Sequence, residues 1–365
     1  MVHLNKVTNQ NILNIMEVPS IFLNRILAEA AKKGASSLHF SVGSQPIARI
    51  DDKLIPLEKE GILTSELLGK VIDSFISEEE EKKFKEEKEI VVVKTFAGDF
   101  RFRVNIFYQK DLPAISFNYI PTVIRNLGDL KLPAAFKEKI NLNSGLLIVA
   151  GPNDSGKTGT AVAFIEDINK REKKYIITLE DPIEYLFINK KSIIEQRQIG
   201  RDVKSYVAGL KHCLDEDVDL VFIDEIKKEF AAALPLILQL AAGNSLVVLE
   251  INAANSIRVI EKILDAAKQT ISPEAARFSL ADVLVGITVQ KLIPRLGGGL
   301  ILASEILIVN PAIKSLIREG KIYQIESIIQ TSREEGMISL EKAVEELVRK
   351  GEISSEEARK IKLNI

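Results

Sequence analysis

Residues Leu146–Lys170 read LLIVAGPNDSGKTGTAVAFIEDINK. The segment Gly151–Thr158, GPNDSGKT, matches G-x-x-x-x-G-K-S/T in full. A short apolar strand precedes it and a helical stretch follows, which is the context a phosphate loop requires. Loop N–H groups and the helix N-terminus can cradle a phosphate. Gly151, Pro152, Asn153, Asp154, Ser155, Gly156, Lys157, Thr158 and Gly159 are therefore the candidate nucleotide-binding residues. Lys157 would supply charge to the β- and γ-phosphates and the Thr158 hydroxyl would bind Mg²⁺. The competing reading is a Gly/Ser turn carrying a solvated lysine.

Working outward from the loop, apolar runs without alternation recur: YIITLE, LVFID and LVVLEI. With helical segments between them, they predict buried parallel strands of an α/β sheet. LVFIDE (220–225) ends in two carboxylates. Asp224 is assigned to the metal and Glu225 to the attacking water; the alternative is an acid capping the next helix. The GGG at 297–299, between QKLIPRL and LILASEILIV, reads as a hairpin turn. Beyond Pro311 the chain reads as helices, two of them led by serine, with an acid three positions on as Ser354 and Glu357 show.

Upstream, residues 20–33 show helical apolar spacing stopped by Gly34. SSLHFSV, PIARIDDKLIPL, EIVVVKTF and FRFRVNIFYQ predict strands, with one acidic helix around 64–88. The expected divisions are an α+β domain over 1–120, a linker over 121–144, an α/β core over 145–310 and a helical tail over 311–365.

The 365 residues suffice for two to three domains at roughly 150 residues each. Lys+Arg total 49 and Asp+Glu 51, for a net charge of -2, which argues against a nucleic-acid partner. A single cysteine, Cys213, excludes an intrachain disulfide and fits a reducing compartment. The start of the chain lacks the pattern of a secretory signal. Phe230–Leu249 carries no charged residue, but Pro235 and the Gly243–Ser245 turn favour a buried helix and strand over a membrane span. His3, His39 and His212 show no zinc-ligand spacing.

The chain resembles the type II/type IV secretion and pilus ATPases, and most closely their pilus-retraction branch. Beyond the phosphate loop, the resemblance rests on GASSLHFSVGSQPIARIDDKL, RFRVNIFYQ (101–109), IPTVIRNLGDLKLP, ITLEDPIEY (177–185), IEQRQIGRD (194–202) and AIKSLIREGKIYQIESIIQ. It implies a PAS-like N-terminal domain, a RecA-like ATPase domain and a hexameric ring using ATP and Mg²⁺. It implies catalytic roles for Arg101, Arg103 and Glu180 beside Lys157 and Glu225, and places Glu184 at the nucleotide. It further implies a cytoplasmic ring, peripheral at the inner membrane, that engages a pilus or secretion platform protein.

Several positions depart from the family pattern. Asp154 and Asp224 stand where glycines are usual, and Asp215 and Lys227 replace arginines. Asn252 and Ser245 replace histidines. Asp154, Asp215 and Asp224 together make an acidic shift expected near the triphosphate. Asn252 can still hydrogen-bond as a γ-phosphate sensor, although it cannot take a proton as histidine does. Two expectations follow: a working ATPase with a rewired site, or a weakly active accessory subunit regulating a paralogous pilus ATPase.

Overall fold

The computed structural model describes residues 18–51 and 53–362. The signal-peptide reading, apart from Val18, and His3 lie outside the described residues. The chain divides into two compact units, one ending at Val123 and the other beginning at Ile124.

The first unit opens with the helix Pro19–Lys32, started by Pro19 and stopped before Gly34, whose φ is +75°. Six strands follow: β1 (Ser37–Ser41), β2 (Ile47–Ile50), β3 (Lys53–Pro56), β4 (Glu89–Phe96), β5 (Phe100–Gln109) and β6 (Leu112–Ile120). They form one antiparallel sheet in the order β3-β2-β1-β6-β5-β4. Phe22, Ile26 and Leu27 of the helix pack with Phe40, Phe102 and Phe117 of the sheet. This is an α+β domain.

Two features differ from expectation. The acidic stretch makes two helices, Ser65–Asp73 and Glu78–Glu87, rather than one. Ser77 restarts the helix with a reciprocal cap: its hydroxyl accepts from the Glu80 N–H at 3.3 Å, and Glu80 accepts from the Ser77 N–H at 2.8 Å. β6 escaped the alternation pattern because Ala114 and Ile115 are buried in succession.

The second unit is built on β7 (Gly145–Ala150), β8 (Tyr175–Glu180), β9 (Ile193–Gln198), β10 (Leu220–Ile223), β11 (Leu246–Ile251), β12 (Leu284–Pro294) and β13 (Leu300–Ile308). Their order is β13-β12-β7-β11-β10-β8-β9. All pairings are parallel except β12–β13, the hairpin joined across Gly297–Gly299. The apolar runs of β7, β10 and β11 are buried along their whole length. β9 carries Glu195, Gln196 and Arg197 and gave no apolar signal.

Phe230–Ala242 is a helix that turns at Gly243 into β11, and among the described residues no helix is long and apolar enough to cross a membrane. The tail forms the helices Pro311–Glu319, Ile325–Thr331, Leu340–Arg349 and Ser355–Lys362. Val344, Leu347 and Ile353 pack with Ile293 and Ile301 of the hairpin in a small separate core. Ser354 caps as expected. Ser339 caps too, but the residue three positions on is Lys342, so no acid completes that box.

Candidate active site

β7 feeds the loop directly into the helix Lys157–Arg171. Strand order reverses at β7, which lies between β11 and β12, so the loop opens at the crevice where open α/β sheets bind ligands. Gly151 has φ +151°, and a Cβ there would stand 2.3 Å from Ser155 Oγ and 2.5 Å from the Gln290 carbonyl oxygen. Gly156, at φ +87°, turns the chain into the helix. Thr160 and Gln290 exchange a buried side-chain hydrogen bond that ties this helix to β12.

Asp154 takes φ +59°, a left-handed conformation that aspartate tolerates better than most residues. It is exposed. Lys157 is buried, and its ammonium donates to the carbonyls of Gly151 (3.1 Å) and Pro152 (2.9 Å). The same ammonium lies 3.6 Å from the Glu225 carboxylate, so the two outstanding charges of the motif pair meet. Thr158 Oγ1 donates to Glu250 Oε2 at 3.2 Å.

β11 ends beside the loop and delivers Asn252, whose side-chain amide donates to Asn153 Oδ1 at 2.9 Å. Glu250, two residues earlier, escaped the sequence reading. It sits inside an otherwise apolar strand, and an acid at such a position is the signal that could have found it.

Asp224 is held differently from the neighbouring Glu225. The Tyr206 hydroxyl donates to its Oδ1, and the Asp181 N–H donates to its Oδ2 at 2.6 Å. Burial, with Glu180 and Asp181 adding like charge, pushes the Asp224 carboxyl up to about 8. Glu180, the last residue of β8, is buried and accepts from Thr178 (2.6 Å) and Gln196 (3.1 Å). Burial raises it to about 7, assisted by the nearby Glu184 charge.

Asp215 does not join this group within the unit. It ends the helix that leads into β10, so it lies at the edge where the parallel strands begin, whereas the loop lies where β7 finishes. Ser245 is at that same far edge and donates to the Val218 carbonyl at 2.7 Å. The acidic shift at the loop therefore comes from Asp154, Asp224 and the unforeseen Glu250. In the first unit, Arg101 and Arg103 alternate on β5 with buried Phe102 and Val104, so the two arginines share one face.

A family model described as type II/IV secretion system protein matches residues 16–360. The chain belongs to this family. It is 33% identical over 342 residues to the type IV pilus retractation ATPase PilT of Pseudomonas aeruginosa, covering 92% of this chain and 97% of that protein. It is 32% identical to the twitching motility protein of Neisseria gonorrhoeae over 82% of this chain and 79% of that one. Among solved structures, the pilus retraction motor PilT with bound ADP is similar at a TM-score of 0.78 and 35% identity, over 91% of this chain and 94% of that chain. The Legionella pneumophila ATPase DotB shares the fold at a TM-score of 0.81 and 18% identity, over 95% of this chain and 96% of that one. The family read from the motifs is the family found, with an N-terminal α+β domain and a RecA-like ATPase domain of the secretion and pilus class.

Proposed function

We propose that the chain is the Mg²⁺-dependent ATPase motor of a type IV pilus, of the retraction class, or of a related secretion machine. The observation that carries this reading is the approach of Lys157 to Glu225 beside the phosphate loop. A triphosphate entering the loop offers Lys157 charged acceptors in place of the Gly151 and Pro152 carbonyls. Glu225, released from that pairing, can orient a water on the γ-phosphorus and accept its proton, giving ADP and phosphate. Asn252 and Asn153 hold the end of β11 to the loop and can register the γ-phosphate.

Mg²⁺ fits the donor set, because the Thr158 hydroxyl faces the buried Glu250 carboxylate and all these donors are hard oxygens. When bound, the ion neutralises charge on the β- and γ-oxygens. Glu180, raised towards neutrality by burial, can exchange a proton at the edge of the site. Arg101 and Arg103 would stabilise charge on the transferring group. Glu184 would complete the acidic wall of the site.

The working form proposed is a homo-hexamer in the cytoplasm, seated on an inner-membrane platform protein. An ATPase assay in Mg²⁺, run beside native mass measurement, tests the reading. The expected result is a six-subunit particle that turns over ATP. The substitutions at Asp154 and Asn252 support a second reading, an accessory subunit of a paralogous ATPase. No turnover alone, with a changed rate when mixed with the active paralogue, would decide for it.

A further inference from the structure

Glu250 is only 4% exposed. Its Oε2 accepts from Thr158, and among the described residues its Oε1 has no hydrogen-bond partner. Holding a carboxylate away from water costs several kcal/mol unless its lone pairs are satisfied. The cation at hand, Lys157, is already on two loop carbonyls and beside Glu225. Burial and then the Asp224 charge weigh most against the Glu250 carboxylate, Glu184 adds to them, and the Lys157 charge relieves only part of this. The carboxylate that meets the loop hydroxyl through Oε2 thus keeps a second, buried, hard oxygen that a cation can use.

We infer that Glu250 is a carboxylate ligand of the divalent cation that accompanies the nucleotide, working beside the Thr158 hydroxyl. The inference rests on the nucleotide-site reading above. Mg²⁺ takes near-octahedral oxygen ligands at about 2.1 Å, so neighbouring ligand oxygens stand about 3 Å apart. Thr158 Oγ1 and Glu250 Oε2 already stand 3.2 Å apart, so one ion can meet both with little movement. Asp224 is the acid that the motif singled out, yet Tyr206 and the Asp181 N–H occupy its two oxygens. A metal there would share oxygens that each already accept a hydrogen bond, whereas Glu250 offers Oε1 without one. Asp224 is then a positioning residue that joins β10 to the Asp181 turn, and the metal-facing acid comes from β11.

The experiment measures binding of a fluorescent ADP analogue in Mg²⁺ and in EDTA, for the full-length wild type and for E250Q, E250L and D224N. Electron paramagnetic resonance of Mn²⁺ gives the affinity of the ion for each ADP complex. Wild type is expected to bind about tenfold tighter with Mg²⁺ than with EDTA. E250Q and E250L should match wild type in EDTA, lose most of the Mg²⁺ gain and weaken Mn²⁺ by about tenfold, while D224N keeps the gain. E250L fills the space without a polar atom, so it serves if thermal melting shows E250Q to be unfolded. A full Mg²⁺ gain in the folded Glu250 variant overturns the inference, and so does loss of the gain in D224N. A wild type that binds in neither buffer overturns the nucleotide reading itself and this inference with it.

Discussion

The Tyr206 hydroxyl donates to Asp224, reaching from the first turn of its helix to the residue that follows β10. Together with the Asp181 N–H it gives each oxygen of this half-buried carboxylate a donor. Tyr206→Phe removes one of these donors from a half-buried carboxylate. The expected cost is about 1–3 kcal/mol of unfolding free energy, read by urea titration against wild type. A change within error would mean that the bond contributes nothing to stability.

Stability should fall as pH rises across the neutral range. Asp224 sits at about 8 against an ordinary 3.8, and Glu180 at about 7 against 4.5, both because burial disfavours the charged form. Between those ordinary and raised values the folded chain holds more protons than the unfolded one, so each step up in pH favours unfolding. The contribution is full below pH 4 and gone above pH 8. Other carboxylates, such as Glu80 and Asp202, are held low and oppose the trend at acid pH. Comparing wild type with Asp224→Asn by denaturant titration from pH 5 to 9 isolates the effect. The variant should show the shallower slope.

Lys157→Ala and Glu225→Gln should fail differently. The first removes the point charge meant for the phosphates, so both nucleotide affinity and turnover collapse. The second preserves shape and removes a base, so affinity survives and turnover drops about 10²–10⁴-fold. Equilibrium binding and steady-state phosphate release separate the two. Equal loss of affinity in both variants would assign Glu225 to binding rather than to the attacking water.

Asp154→Gly should strengthen nucleotide binding. The left-handed backbone at Asp154 suits glycine, and the substitution removes a negative charge from the phosphate loop. Because the side chain is exposed, the repulsion is far below the roughly 4 kcal/mol of a like pair at 4 Å and an effective dielectric of 20. A gain of about fivefold at low salt, shrinking above 0.1 M, is expected. Affinity independent of both the substitution and salt would show that the Asp154 charge is not felt at the site.

Much of this protein is written locally in the chain. Gly151, Gly156 and Lys157 sit in one contiguous motif, and the unbroken apolar runs of β7, β10 and β11 announce strands covered on both faces. Such signals survive because backbone conformation and strand burial depend on near neighbours in sequence. β6 and β9 were missed because their partners, rather than their own patterns, make them strands. The roles of the acids were also beyond local reading. The sequence could not show that the Tyr206 hydroxyl and the Asp181 N–H meet Asp224, and Asp215 looks close to the loop until the parallel strands place it at their opposite edge. Glu250, 92 residues from Thr158 in the chain, becomes a neighbour of that hydroxyl only when β11 pairs with β7. The chain's order of residues determines which chemistry is available. Which carboxylate is satisfied and which is left open depends on contacts between distant segments, and those exist only after the sheet has assembled.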